Sequence, residues 1–222
     1  MSGSASVVPR HPSRNPGSDA DRLAERDPLF AELLARNGPS PAWRREPSFE
    51  TLVRLILEQQ VSLASAAAAY RRLETRVGPV GPEAVLASSD GDLRKDGFSR
   101  QKTSYVRGLA SRVVEGTLSF EDIASRPDSA AASLAEVKGI GPWTIACFQI
   151  FALGLPDIWP TGDRALYVSL GRNLDLPSVP DKTTADAMAE AWAPYRSAAA
   201  RMLWYDYLGG RDHVADPSAG FL

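Results

Sequence analysis

The clearest signal along the chain is a helical stripe at residues 48 to 60, where Phe49, Leu52, Val53, Ile56 and Leu57 recur at i, i+3, i+4, i+7 and i+8 behind the capping residue Ser48. Such spacing buries one helix face, so this stripe has to meet a core. A second helix is expected at about 62 to 77, ending at Gly78-Pro79. Its alanine run allows close helix approach, and Arg71, Arg72 and Arg76 fall on the outer side. Shorter helices are expected near 28 to 36, 82 to 88 and 119 to 125, a longer one near 100 to 115, and a last one from Pro194 to the Gly209-Gly210 stop. No period-2 alternation is long enough for a sheet, and no repeat recurs at a fixed period. The chain therefore reads as all-α.

Residues 1 to 18 are rich in Ser, Pro and Gly and read as a disordered, slightly basic tail, with 213 to 222 as a second tail. No apolar stretch of signal-peptide length opens the chain, and no run of about eighteen apolar residues occurs anywhere. A soluble cytoplasmic protein without a membrane partner is expected. The 222 residues, 44% hydrophobic and 23% charged, suffice for one core or two small ones. The single cysteine, Cys147, excludes a disulfide framework, a four-cysteine iron–sulfur cluster and an all-cysteine zinc site. The two histidines, His11 and His213, lie near the chain ends, which argues against a histidine triad or a His-x-x-x-His metal helix. Any chemistry then has to run on carboxylates or hydroxyls.

The net charge of −2 argues mildly against nucleic acid, unless the charges are segregated. Only Lys95, Lys102, Lys138 and Lys182 among the 25 basic residues are lysine. That bias suits bidentate phosphate contacts and equally reflects a GC-rich genome.

Residues 129 to 173 parse as helix, turn, helix, loop, helix, with Lys138-Gly139-Ile140-Gly141 as the turn. Gly139 and Gly141 permit close backbone approach, Pro142 suits a first helical turn, and Ile140 can tuck inward, leaving amides exposed to an anion. A plain αα-hairpin turn explains the same residues. A dinucleotide site does not, because Thr144 stands where a third glycine is required and no strand precedes. Beyond the second helix, Trp159-Pro160-Thr161-Gly162-Asp163-Arg164 places an acid at the mouth of a new helix, where the dipole favours its ionised form. Asp163 alone could be a simple cap.

Taken together, Val137-Lys138-Gly139-Ile140-Gly141-Pro142-Trp143-Thr144 followed by Pro160-Thr161-Gly162-Asp163 resembles the helix-hairpin-helix (HhH-GPD) DNA glycosylase superfamily, and in particular its 3-methyladenine DNA glycosylase II, AlkA-type branch. Leu57-Glu58-Gln59-Gln60-Val61-Ser62 is similar to the family's strand-invading loop, and Trp192 to Ser197 with Trp204-Tyr205 to its C-terminal helix. The likeness covers roughly residues 27 to 209.

The resemblance implies a two-lobed helical fold, with one lobe from about 19–47 plus 175–212, the other from about 48–174, and a DNA cleft between them. Nothing before Asp27 is long enough for the N-terminal β domain of longer relatives, so the compact form is expected. The implied activity is hydrolysis of the N-glycosidic bond of alkylated purines in double-stranded DNA, the first step of base excision repair. Asp163 is the implied catalytic carboxylate, stabilising the cationic sugar. Trp143, Trp204 and Tyr205 would form the base pocket, selecting cationic purines by stacking. Gln60 would fill the gap left by the extruded base. Phosphate contacts are expected from Gly139, Ile140, Gly141, Thr144, Lys102 and Arg164, with Arg100 and Arg107 as further candidates.

Bifunctional relatives carry a lysine where Trp143 stands, so no lyase step is expected, and Lys138 is poorly placed to substitute for that lysine. The resemblance calls for no catalytic metal or cofactor, only a structural sodium or potassium ion on the carbonyls of Val137 and Ile140. It also suggests a monomer in the bacterial cytoplasm, associated with the nucleoid. At Cys147 the family more often has an aromatic residue, which bears on pocket width. Two alternatives stay open: a glycosylase for another damaged or mismatched base, and a non-catalytic helix-hairpin-helix DNA-binding module.

Overall fold

The computed structural model describes residues 16–210, and every regular element among them is helical. The chain opens with α1 (Pro16–Arg26) and α2 (Pro28–Asn37). Its middle runs through α3 (Phe49–Glu58), α4 (Leu63–Val77), α5 (Pro82–Ala87), α6 (Asp90–Asp96), α7 (Arg100–Val114), α8 (Phe120–Ser125), α9 (Ala130–Ala135) and α10 (Pro142–Phe148), which continues into a π turn at Gln149–Leu153. It closes with α11 (Arg164–Asn173), α12 (Lys182–Glu190) and α13 (Arg196–Tyr207). Among the described residues no helix is long and apolar enough to cross a membrane.

The expected stripe is the centre of the middle group. Leu52, Val53, Leu55 and Ile56 of α3 are fully buried, and α3 packs against α4, α7 and α10. Burying each such side chain contributes about 1.5–3 kcal/mol, which outweighs the weak intrinsic helicity of a ten-residue segment. Ser48 and Ser62 cap α3 and α4 by accepting from the amides of Thr51 and Ser65 at 3.3 and 3.2 Å.

The second group gathers the two ends of the chain. Asp27 caps α2 through the Leu29 amide and also accepts from Trp192 Nε1, both at 2.9 Å. Asp206 of α13, buried, collects Arg36 (2.7 Å), Asn37 (3.1 Å), Ser169 (2.8 Å), Arg172 (2.6 Å) and Asn173 (2.8 Å). One carboxylate thereby pins α2, α11 and α13 together.

Several expectations need correction. Residues 16–18, read as tail, begin α1; residues 1–15 and 211–222, with His11, His213 and the rest of both expected tails, lie outside the described residues. The lobe boundary near 174 would put α11 with the middle of the chain, but α11 packs against α13 and α12, because its buried face carries Ser169 and Leu170 toward Asp206 and the C-terminal helix. The last helix starts at Arg196, two residues beyond the cis Ala193-Pro194 peptide, rather than at Pro194. Helices α6 and α12 have no counterpart in the pattern. Their buried faces are only Leu93 and Asp96 in the first and Ala185 and Ala189 in the second, too small to register as a stripe.

Candidate active site

Between α9 and α10 the chain turns on two buried residues, Val137 and Ile140, with the Ile140 amide donating to the Val137 carbonyl at 3.0 Å. Gly139 has φ 91° and lies on the ring of Tyr105, where a Cβ would collide with ring atoms. This position therefore excludes any other residue on two grounds, backbone conformation and space. Gly141 is the N-cap of α10 and Pro142 its first residue, so amides of the first turn have no partner within the helix.

The turn borders a cleft of about 1320 Å³ between the two helical groups. From the middle group it is lined by Glu58, Gln59, Gln60, Lys102 and the turn with Trp143; from the other by Asp163, Arg164, Trp204 and Tyr207. Asp163 joins them. Its Oδ1 accepts from the Leu166 amide at 3.0 Å, capping α11, while Oδ2 accepts from Trp143 Nε1 at 2.7 Å. The side chain thus caps α11 with one oxygen and holds the Trp143 indole with the other.

The loop that delivers Asp163 is tied down by Asp186, which accepts from Trp159 Nε1 (2.9 Å), Thr161 Oγ1 (2.5 Å) and the Tyr167 hydroxyl (3.2 Å). The Gly162 amide in turn donates to that hydroxyl at 2.6 Å. Burial pushes the Asp163 carboxyl above its usual 3.8, and hydrogen bonds from Trp143, the Leu166 amide and Trp204 pull it back. The result is a carboxylate shielded from bulk water and held by oriented donors, suited to stabilising a cation that forms beside it. Trp143→Phe keeps the ring and removes the indole donor. It is expected to move the acid limb of any activity carried by Asp163 to higher pH, because a bond that lowers that pKa is lost; an unchanged pH profile would count against this coupling.

Gln60 sits at the exposed tip of the loop after α3 with φ 58°, a left-handed conformation that a non-glycine residue adopts at a cost of about 1–2 kcal/mol. Val61 beside it is 47% exposed, leaving an apolar side chain open to solvent at the same tip. The preceding residue, Gln59, donates from Nε2 to the Gly139 carbonyl and to Thr144 Oγ1, both at 2.9 Å, so the tip is tied to the turn.

Four assignments made from sequence change. Thr144 is 1% exposed and its hydroxyl accepts from Gln59, so its side chain braces the loop and does not face outward. Lys102 donates to the carbonyls of Leu57 (2.7 Å) and Gln59 (2.9 Å), capping the C-terminal end of α3, and burial lowers its pKa. Its ammonium is occupied. Arg107 is likewise spent on Asp90 and the carbonyls of Leu86 and Ser88. Tyr205 packs edge-on against Trp43, with centroids 6.2 Å apart, and does not line the cleft. Tyr207 does, because on one helix face Trp204 is followed by positions 207 and 208, while 205 is turned about 100° away.

Trp204 is 2% exposed, lies tilted against Phe151 with ring centroids 5.3 Å apart, and lines the cleft. Arg164 is exposed at the cleft rim, and Arg100 is exposed at the start of α7. Cys147 is fully buried and is not among the residues that line the cleft. Among the described residues no group of three or more His, Cys, Asp or Glu side chains could hold a metal ion. The reading from sequence gave no separate role to Glu58, a carboxylate in the cleft floor. The available signal was an acid directly after the apolar run Leu55-Ile56-Leu57, where the amphipathic pattern asks for burial.

Salt dependence separates the two basic residues. Arg164→Ala is expected to reduce the slope of log K against log salt for duplex DNA by about one, whereas Lys102→Met leaves the slope unchanged. Equal slope changes would mean that Lys102 leaves its two carbonyls to meet phosphate.

Residues 53–196 match the family model described as HhH-GPD superfamily base excision DNA repair protein. Over 168 residues the chain is 30% identical to a Bacillus subtilis protein named putative DNA-3-methyladenine glycosylase YfjP, a stretch covering 70% of this chain and 58% of that one. The chain thus spans less than two thirds of that relative. It is 27% identical over 181 residues to DNA-3-methyladenine glycosylase 1 of Schizosaccharomyces pombe, covering 79% of each. The solved structure of the Schizosaccharomyces pombe 3-methyladenine DNA glycosylase in complex with abasic DNA superposes with a TM-score of 0.78 at 26% identity, over 85% of this chain and 95% of that one. An 8-oxoguanine glycosylase/lyase of Clostridium acetobutylicum, at 18% identity and TM-score 0.75, shares the fold. With its family model matched over residues 53–196, the chain belongs to the HhH-GPD superfamily of base excision DNA repair proteins.

Proposed function

We propose that this protein is a monofunctional DNA glycosylase that hydrolyses the N-glycosidic bond of alkylated purines, of the 3-methyladenine and 7-methylguanine type, in double-stranded DNA and leaves an abasic site. The observation that carries the proposal is the Asp163 carboxylate, buried on the cleft wall and bonded to Trp143 at 2.7 Å, beside the glycine turn and the Gln60 tip. The names of the relatives, 3-methyladenine glycosylases, support the same substrate class.

In this reading the damaged nucleotide is rotated out of the duplex, at a cost of a few kcal/mol, and Gln60 with Val61 occupies the space it leaves. The amides of Gly139, Gly141 and Trp143 and the Arg164 guanidinium hold the strand by its phosphates. As the base departs, the sugar becomes cationic; Asp163 stabilises that charge and orients or deprotonates the incoming water. An alkylated purine already carries positive charge and a weakened bond, so little leaving-group protonation is needed. The aromatic faces of Trp143, Trp204 and Tyr207 suit such a cation by stacking, worth about 1–2 kcal/mol.

No Schiff base is expected, because Lys102 is held on two carbonyls and Lys138 sits exposed on the turn itself. The proposal extends to a structural sodium or potassium ion on the carbonyls of Val137 and Ile140. These are neutral oxygen donors, and the Val137 carbonyl accepts one hydrogen bond from Ile140 and keeps a second lone pair. It also extends to action as a monomer.

The test is to incubate the protein with methylated duplex, identify released bases by mass spectrometry, and assay strand breaks with and without alkali. Release of 3-methyladenine with breaks only after alkali is the expected result. Breaks without alkali would overturn the monofunctional assignment, and DNA binding without any release would leave a binding module instead.

A further inference from the structure

Gln101 and Tyr105, one turn apart on α7, line the cleft beside the glycine turn, and neither has a part in the chemistry described above. Tyr105 is half-buried and Gln101 exposed. The base of the Tyr105 ring lies against Gly139, where an added Cβ would overlap Cγ and both Cδ atoms. Ring and turn are in direct contact, so the place of one sets the place of the other.

The far end of the ring carries the hydroxyl. Its oxygen accepts from Gln101 Nε2, and among the described residues nothing accepts the hydroxyl's own proton. A phenolic O–H lies close to the ring plane, which offers the proton two positions; Gln101 takes one side, so the proton points to the other. The result is a donor with a set direction and no partner. It belongs to an exposed hydrogen bond between two residues that line the cleft, so a ligand can reach it.

The surroundings suit an anion. Lys138, exposed on the turn, lines the same part of the cleft. The acid two residues before it, Glu136, is paired with Arg112 at 3.0 Å and does not line the cleft. The two carboxylates that do, Glu58 and Asp163, have donors of their own in Arg45 and in Trp143 with the Leu166 amide. Tyr105 thus adds a free donor, near a cation, on the ring that touches the phosphate-gripping turn of the proposed function. Side-chain hydroxyls are among the usual donors to phosphate oxygens of DNA.

We propose that Tyr105 is a further DNA-binding residue: its hydroxyl, oriented by Gln101, donates to a phosphate oxygen of the strand that the glycine turn holds. This rests on the glycosylase reading and adds to it a neutral contact that fixes the strand beside Gly139. A neutral donor releases no counterion, so it strengthens binding equally at low and high salt, unlike Arg164.

The experiment measures affinity for an abasic duplex between about 50 and 200 mM salt. Tyr105→Phe keeps the ring against Gly139 and is expected to weaken binding about tenfold at every salt concentration, with the slope of log K against log salt unchanged. A loss below about twofold, or one that comes with a changed slope, would overturn the assignment. Duplexes with a single neutral methylphosphonate at successive positions locate the contact. At one position the substitution is expected to weaken wild type about tenfold more than Tyr105→Phe, and the absence of any such position would overturn the role of Tyr105. If Tyr105→Phe does not fold, Gln101→Glu decides: its carboxylate takes the hydroxyl proton and repels the phosphate. Binding is then expected to fall about tenfold or more and to recover with methylphosphonate at one position, and undiminished binding overturns the proposal. Base release from methylated duplex is followed in parallel. Tyr105-dependent binding without release would overturn the glycosylase reading and leave the contact standing, whereas a wild type that does not bind duplex would overturn both.

Discussion

Replacing Asp163 by Asn is expected to slow base release from methylated duplex by about 10²–10³-fold or more while leaving abasic-duplex affinity nearly unchanged. Asn has almost the same shape and keeps an oxygen to cap α11 at the Leu166 amide. What it removes is the negative charge, and it turns one cleft-facing acceptor into a donor against Trp143. A uniform structural defect would weaken DNA binding in parallel, so the split between binding and release is the informative quantity. Wild-type release should also fall on the acid side through a pKa that burial has raised above 3.8, since only the ionised form can face a forming cation. Release by the Asn variant at the wild-type rate would remove Asp163 from the mechanism.

The largest effect on stability is expected from Asp206→Ala. The substitution leaves Asn37 and Ser169 without their acceptor, takes one acceptor from Asn173, and removes the carboxylate that joins α2, α11 and α13. Arg36 and Arg172 are half exposed and rehydrate, so the loss should sit near the low end for a broken buried pair, about 3 kcal/mol, or a Tm lower by roughly 6–12 °C for a chain of this size. Burial raises the Asp206 carboxyl pKa, but hydrogen bonds from Asn173, Arg172, Arg36 and Ser169 outweigh it and hold the group well below the usual carboxylate range. A carboxyl with a lower pKa folded than unfolded stabilises fully above the unfolded value of about 3.9 and loses that contribution as pH falls below it. The Tm gap between wild type and Asp206→Ala should therefore be widest near neutrality and shrink below about pH 4. A gap independent of pH would mean that packing, not charge, accounts for the loss.

Much of this architecture is legible in the sequence wherever one helix face carries large apolar side chains. The α3 stripe, the caps at Ser48 and Ser62, and the glycines at 139 and 141 each impose a local requirement that residue type alone expresses. Asp163 was legible for a related reason, since a capping acid after a Gly-containing loop is a local pattern. What escaped the sequence is what long side chains do once the chain has folded. A lysine ammonium serves equally as a phosphate contact or as a clamp on helix-end carbonyls, and only the approach of α7 to α3 decides for Lys102. Tyr205 and Tyr207 differ by a rotation about the axis of α13, which has apolar residues on every side and so gives no periodic clue to its facing. Trp143 is expected from sequence to act through its ring face; the structure shows its edge engaged as well, with the indole nitrogen donating to the Asp163 carboxylate. Glu58 looked like one letter of a loop motif because its partner, Arg45, lies on an irregular segment with no pattern to read.

The two hydrogen bonds from the Gln59 amide have a bearing on how such a protein would survey a genome. They bolt the tip that would enter the base stack to the turn that would grip the sugar-phosphate rail. Wedge and handhold cannot then advance separately. In the proposed reading, a wedge and a handhold joined in this way meet the duplex in one step and not one after the other.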